Sequence, residues 1–286
     1  MKLRNLKGLN GMISSSASLV RMMASAKVYD ELYEQYLRRG VNYALDPNDT
    51  ENNFDAPWKL THYMETGADA LRLCVGALIT NMRPVPKVVV DLPSGSGRVT
   101  RHFKSFFPEA RIIASDLYEA RWSFCRNAFG VEGLQSTENF DDLNVDAPID
   151  LLFAGSLLTH LPEPIFRSFF RFLSRSLSDT GIAVVTTQGR HAEWVQHNHY
   201  QYIEPERFDM AEKDVLKSGF GYVDYNAHWM DTVWVNQENY GVALARPWFT
   251  MKTLEEDYDL RILGYIERGF DNSQDAVIVG KPGVNQ

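Results

Sequence analysis

The chain has 286 residues, of which 44% are apolar and 23% charged, a globular rather than disordered composition. Lys and Arg total 29 against 37 Asp and Glu, and the net charge of -8 argues against duplex nucleic acid as a main partner, since binding it draws on clustered positive charge. Two cysteines, Cys74 and Cys125, exclude a disulfide scaffold and a Cys-rich zinc module, and they suit a reducing, cytoplasmic compartment.

The length exceeds one average domain and falls short of two, so one domain with an added lobe is expected. The longest apolar runs, such as LLFAGSLL from Leu151, are far below the ~20 residues of a membrane span. Near the N-terminus, Gly8, Asn10 and Arg21 interrupt the apolar stretch after Lys2, Arg4 and Lys7. That pattern argues against a secretory signal, with an amphipathic transit peptide as the alternative.

Helical spacing of Val28, Leu32, Tyr33 and Tyr36 predicts a helix from Leu19 to Arg39, stopped at Gly40. NDTENNFDAP, from Asn48, reads as a loop. A second helix follows from about Trp58 through Thr80, with Leu71, Cys74, Val75 and Leu78 on one face. Aromatic residues on these helices could pair two copies into a homodimer or pack on a sheet.

The pattern then changes to strands alternating with helices. KVVVDL from Lys87, RIIASD from Arg111, LQST from Leu134, IDLLFAG from Ile149 and GIAVVTT from Gly181 are the strands. PIFRSFFRFLSRSL is a helix, on which Phe166, Phe169, Phe170 and Leu173 face inward and Arg167, Arg171 and Arg175 form a solvated row, with binding of a phosphate or an acidic lipid carrier as the disfavoured alternative. This alternation implies a parallel sheet with right-handed crossovers. After Thr187 no clean period remains up to Arg246. Then PWFTMKTLEEDY reads as a helix opened by Pro247. LRILGYIER and DAVIVGKP are too close for a parallel crossover, so they form an antiparallel hairpin.

The segment VVVDLPSGSGRVTRHF carries the most chemistry. A strand ends at Asp91, a loop containing Gly95 and Gly97 follows, and a helix begins near Arg98. The glycines let the backbone approach a ligand, and the helix start offers free N–H groups. A tight turn without a ligand would need the same glycines. Thr100 stands where a dinucleotide fingerprint wants a third glycine, which disfavours a nicotinamide dehydrogenase. Asp91 is placed to face a ligand's positive charge. Asp116 ends the second strand, where it can accept both hydroxyls of a ribose or cap a helix. The combination points to nucleoside binding at the strand ends.

These features resemble the class I S-adenosylmethionine-dependent methyltransferases, which carry the same order of acid, glycine loop and second acid. DLPSGSGRV, IDLLFAGSLLTHLPE, VVTTQGRHA, FGYVDY, YGVALARPWF and GYIERGFDNSQDAVIVGKP further resemble a bacterial subgroup often encoded near glycosyltransferase or natural-product genes. Pro93 and Ser94 stand where many members have Gly-Cys or Gly-Thr. The resemblance implies a doubly wound, mostly parallel seven-stranded α/β sheet of Rossmann-like form with a terminal antiparallel hairpin. It implies an N-terminal helical lobe over 1–84, a catalytic domain over 85–282, and an acceptor cap at about 188–246. The cofactor would be S-adenosyl-L-methionine. Asp91, Pro93, Ser94, Gly95, Gly97 and Arg98 would form its methionine site. Asp116 would hold the ribose, with Leu117 against the adenine and Asp141, Asp142 and Leu143 at the adenine edge. Gly155 and Ser156 would close the other side, and Tyr63 with Gly67 would cover the cofactor from the lobe.

Methyl transfer to a hydroxyl needs a base. His191, after the fifth strand, is one candidate, and His160, in LLTHLPE, is the other; a loop histidine bonded to backbone and a packing histidine are the respective alternatives. Arg190 and Tyr240 are candidates to line the pocket, with Glu267 and Asp271 behind them. Trp194, Tyr200, Tyr202, Phe220, Tyr222, Tyr225, Trp229, Trp234 and Tyr240 either bind an acceptor or form the cap's own core. His197, His199 and His228 fit no compact zinc spacing, so no metal is expected. The function expected is methylation of a small molecule or glycan, at oxygen. The alternatives are a peptide or protein side-chain methyltransferase and a nucleoside-binding protein without catalysis.

Overall fold

A computed structural model of the chain describes residues 17–49, 56–225 and 239–281. Lys2, Arg4, Lys7, His228, Trp229 and Trp234 lie outside them. Among the described residues, two helices come first, α1 (Ala17–Arg39) and α2 (Pro57–Thr80). The alternating core follows as β1 (Val88–Asp91), α3 (Thr100–Phe106), β2 (Arg111–Asp116), α4 (Glu119–Phe129), β3 (Glu132–Gln135), β4 (Ile149–Ala154), α5 (Glu163–Ser176) and β5 (Leu177–Thr187). Then come α6 (Arg190–Asn198), α7 (Pro205–Ser218), β6 (Phe220–Asp224), β7 (Gly241–Ala245), α8 (Pro247–Asp257), β8 (Arg261–Phe270) and β9 (Gln274–Gly280).

Seven strands form one sheet in the order β3-β2-β1-β4-β5-β9-β8. β1 to β5 are parallel, and β9 runs antiparallel between β5 and β8. The expected α/β sheet with its terminal hairpin is therefore present. Successive residues alternate between two cores, as the pleat requires. Val90, Leu152 and Val185 face Phe166, Phe169, Phe170 and Leu173 of α5. Val89, Leu151 and Val184 face Phe103 and Phe106 of α3 and Leu71 and Cys74 of α2. Strand order reverses between β1 and β4, which opens a crevice at their carboxyl ends.

Gly67 fixes how α2 meets this crevice. A Cβ there would lie 2.2 Å from the Arg98 carbonyl oxygen and 2.7 Å from the His102 ring, so α2 docks directly on the start of α3. Gly67 thus serves helix packing. His102 accepts or shares a hydrogen bond with Tyr36 at 2.8 Å, and burial pushes its pKa down to about 4, so it stays neutral. Tyr29 bonds the Arg83 and Pro84 carbonyls at 3.2 and 3.0 Å, tying α1 to the chain entering β1.

The stretch after β5, which shows no clean period in sequence, folds as α6, α7 and the antiparallel pair β6–β7. Its own small core holds Ala192, Ile203, Phe208, Ala211, Val215, Val223, Val242 and Leu244. Gln196 bonds the backbone of Ile203 and Tyr202 at 2.7 and 2.6 Å and so joins α6 to α7.

Gly97 has φ +83°, and a Cβ there would sit 2.3 Å from the Phe129 ring. We predict that Gly97→Ala loses about 2 kcal/mol, combining left-handed strain with overpacking. A thermal melt within 1 °C of wild type would contradict this.

Candidate active site

The loop after β1 is built from both its backbone and its neighbours. Ser94 N–H donates to the Ser115 carbonyl at 2.8 Å, and Gly97 N–H to the Ser94 carbonyl at 3.0 Å. Gly95 has φ +52° and nothing within 4 Å of where a Cβ would be, so its open side faces the crevice. Its N–H donates to Asp116 Oδ2 at 2.9 Å. Asp116 Oδ1 accepts the Tyr118 N–H at 3.0 Å, and Arg121 stands 3.9 Å away. Asp116 is 2% exposed. Burial raises its pKa, while Arg121 and the backbone donors hold it down.

Two cavities meet at this carboxylate. The first, about 290 Å³, is lined by the loop residues Pro93 to Ser96, Arg98, Asp116, Gly155, Ser156 and His160, with Phe153 and Phe270 as its apolar wall. Asp49 also reaches it. The second, about 130 Å³, is lined by Leu117, Tyr118, Ser136, Thr137, Glu138, Phe140, Leu157, Leu161 and Tyr240. Pro93, Asp116, Arg121 and Ser156 belong to both. Ser156 is fixed in a left-handed conformation, its N–H on Thr186 Oγ1 and its hydroxyl accepting from Gln274, each at 2.8 Å. A larger groove, about 690 Å³, lies at the opposite, amino-terminal edge of β4 and β5 and is open and polar. It shares no lining residue with the two cavities at Asp116.

Several sequence expectations shift. Asp91 lies under the loop rather than in either cavity, its carboxylate taking the Thr100 hydroxyl at 2.5 Å. Full burial pushes its pKa up to about 7, so it is only partly ionised near neutrality. Thr100, standing where a third glycine was sought, holds this acid. Gly97 packs against Phe129 and Cys125 rather than lining the cavity. Asp141, Asp142 and Leu143 are outside the cleft. Asp141 forms a two-pronged ion pair with Arg171 at 2.8 and 2.7 Å, and Arg175 holds the Phe140 and Leu143 carbonyls at 2.6 and 2.8 Å. The arginines draw this turn onto α5, and Ser136, Thr137 and Glu138 take the place expected of it. Leu143 is core. Tyr63 stands behind the cavity wall, bonded to Asp49.

The two histidines also separate. His160 lines the first cavity, stacked on Tyr240 at 4.6 Å and 24°. Its Nδ1 is 2.8 Å from the Gly241 carbonyl and 3.4 Å from the Tyr225 hydroxyl. A carbonyl only accepts, so Nδ1 carries the proton and Nε2 is the basic nitrogen. His191 lies on α6 outside both cavities, stacked on Trp194 at 5.7 Å. Arg190 pairs with Glu267 at 3.0 Å on the surface. Asp271 faces His62 at 3.4 Å. His197 pairs with Glu212 at 2.8 Å, and Glu193 with Arg246 at 2.9 Å. Among the described residues, no group of three or more His, Cys, Asp or Glu is gathered around one point, and no helix is long and apolar enough to cross a membrane.

Asp49, Phe153, Phe270 and Arg121 line the cleft without being singled out in sequence. Phe270 had a usable signal, as the residue ending the hairpin's first strand at the ligand side of the sheet.

No family model matches the chain, and comparison with curated proteins gives no match. Solved structures do match. One is an S-adenosylmethionine-dependent methyltransferase from Clostridium acetobutylicum ATCC 824, 13% identical, covering 90% of this chain and 99% of that one at a TM-score of 0.50. Another is DhpI in complex with SAH, 16% identical, covering 89% and 96% at a TM-score of 0.51. The chain therefore shares the fold of these proteins over nearly its whole length, as the motif resemblance implies.

Proposed function

We propose that the chain is an S-adenosylmethionine-dependent methyltransferase acting on a small-molecule or glycan acceptor, at oxygen. The observation that carries this reading is the pair of cavities joined at Asp116, at the switch point of the sheet, with a histidine on the wall. The residues fit the cofactor. Asp116 would hold a ribose where the cavities join, Leu117 and Tyr118 would line the adenine site, and Gly95 leaves open space where a side chain would intrude. When bound, the cofactor supplies a methyl group already activated on a sulfonium.

The chain's own residues do the remainder. Phe153 and Phe270 keep water from one side. His160, oriented through Nδ1 by the Gly241 carbonyl, takes the acceptor's hydroxyl proton at Nε2. Tyr240 and Tyr225 hold the imidazole from the cap side. We assign acceptor choice to the N-terminal lobe over 1–84 and the cap over 188–246, and we place the protein in the cytoplasm, where its two buried thiols stay reduced.

The test is incubation of the purified protein with lysate and methyl-labelled cofactor. Label in small-molecule or carbohydrate fractions supports the reading. Label in protein bands moves it to a side-chain methyltransferase. Cofactor binding by calorimetry with no transfer leaves a nucleoside-binding protein. Tight NADH binding without S-adenosylmethionine binding would sink it.

A further inference from the structure

Three adjacent strands meet at Ser156. β4 and β5 end there, and β9 starts there because it runs antiparallel to them. Each strand supplies one polar side chain: Ser156 just past β4, Thr186 in β5, and Gln274 opening β9. The three close a ring. Ser156 N–H donates to Thr186 Oγ1 at 2.8 Å. The Thr186 hydroxyl donates to Gln274 Oε1 at 2.6 Å. Gln274 Nε2 donates to Ser156 Oγ at 2.8 Å.

Thr186 fixes which way round the Gln274 amide lies. It is 0% exposed, and its oxygen already takes the Ser156 N–H. A buried hydroxyl proton without an acceptor is costly, and Gln274 Oε1 supplies the acceptor. The nitrogen side of the amide therefore faces Ser156.

Ser156 Oγ is thus an acceptor toward Gln274, and its own proton turns elsewhere. Among the described residues, no side chain or carbonyl takes that proton. Ser156 lines both cavities, the first of them together with His160. The ring commits every other donor and leaves this hydroxyl as a directed donor on the cavity wall.

We propose that the Ser156 hydroxyl selects an alcohol acceptor over an amine by donating to the attacking oxygen, with Gln274 and Thr186 as its positioning residues. A hydroxyl oxygen carries two lone pairs, so it accepts from Ser156 with one and attacks with the other. A neutral amine carries one lone pair and cannot do both. As the acceptor oxygen bonds the methyl carbon, its proton passes to His160 Nε2, and the electron pair of the broken carbon–sulfur bond stays on sulfur. The oxygen gains negative charge as its proton leaves, which strengthens the bond from Ser156. This selection rests on the methyltransferase reading, with His160 as the base.

Incubation with lysate and methyl-labelled cofactor tests it, with NMR of the products separating O-methyl from N-methyl carbons. The wild type should label oxygen. Ser156→Ala should lower oxygen labelling about tenfold to a hundredfold, the loss of one hydrogen bond to a charged group, and raise the N-methyl share. Its affinity for S-adenosylhomocysteine, by calorimetry, should stay within about twofold, because the hydroxyl serves the acceptor. Gln274→Glu keeps the shape and puts a carboxylate oxygen where the amide nitrogen was, so the Ser156 proton turns to it and away from the cavity. It should reproduce both changes, and the double variant should be no worse than either single one, since both remove the same donor. Thermal melts check that each variant is folded. Additive losses would reduce Gln274 to a structural residue and overturn its positioning role. S-adenosylhomocysteine affinity falling in step with labelling would put the hydroxyl on the cofactor instead. Unchanged oxygen labelling in Ser156→Ala, or N-methyl products from the wild type, would overturn the selection while the methyltransferase reading stands. If the wild type labels nothing, that reading fails and the selection with it.

Discussion

Asp116→Ala binds S-adenosylmethionine about a hundredfold more weakly than the wild type. Two losses combine. A carboxylate hydrogen-bonded to a ribose hydroxyl contributes more than a neutral pair, about 1.5–3 kcal/mol for each bond to a charged group. The same side chain also holds the glycine loop, through the Gly95 N–H at 2.9 Å. Without it, that N–H loses its partner and the loop that shapes the methionine end loosens. Asp116→Asn separates the two losses. Its amide oxygen can still accept from Gly95, while the charge facing the ribose is gone. It should fall between wild type and alanine, at about tenfold. The readout is titration calorimetry, with a melt to show that each variant is folded. Alanine affinity within threefold of wild type would remove Asp116 from the site.

Asp116 was readable because its role is local. It ends a β-branched strand and lies 21 residues beyond Gly95, and both facts are in the chain itself. The sheet was readable for the same reason, since strand–helix alternation and a short final connection leave few topologies. Asp49 was not. It sits in a polar loop before α2, and long-range bonds made by Asn42, Asp46 and Tyr63 help bring it to the glycine loop. Asp141 misled for the opposite reason. Its position after β3 suits the adenine edge, but Arg171 and Arg175, 30 and 34 residues away, claim that turn. The row of arginines is solvent-accessible while Phe166, Phe169, Phe170 and Leu173 are buried, and its guanidinium heads pair at the surface with carboxylates and carbonyls. The cap hid its helices because their apolar faces pack on a small private core, with aromatic residues on the remaining surface.

His160 and His191 look alike in sequence, each following a strand at the ligand end of the sheet, and the structure tells them apart. His160→Gln should lower turnover about a hundredfold to a thousandfold and leave S-adenosylmethionine affinity within threefold. Loss of a positioned general base removes about that much. Glutamine keeps similar bulk beside Tyr240, so the cavity wall persists. The pH profile supplies the reading that a merely structural role would not move. In the wild type, turnover should fall at low pH as the base is protonated, and that limb should vanish in the variant. His191→Ala, outside both cavities, should keep turnover within about threefold. Tyr225→Phe should fall between them, because it leaves the Gly241 carbonyl on Nδ1 and removes only the longer contact, at 3.4 Å. If His160→Gln lost cofactor affinity and turnover together, His160 would be a wall of the cofactor pocket. If it changed neither, the acceptor would be one that arrives already deprotonated, an amine, and oxygen methylation would give way to nitrogen.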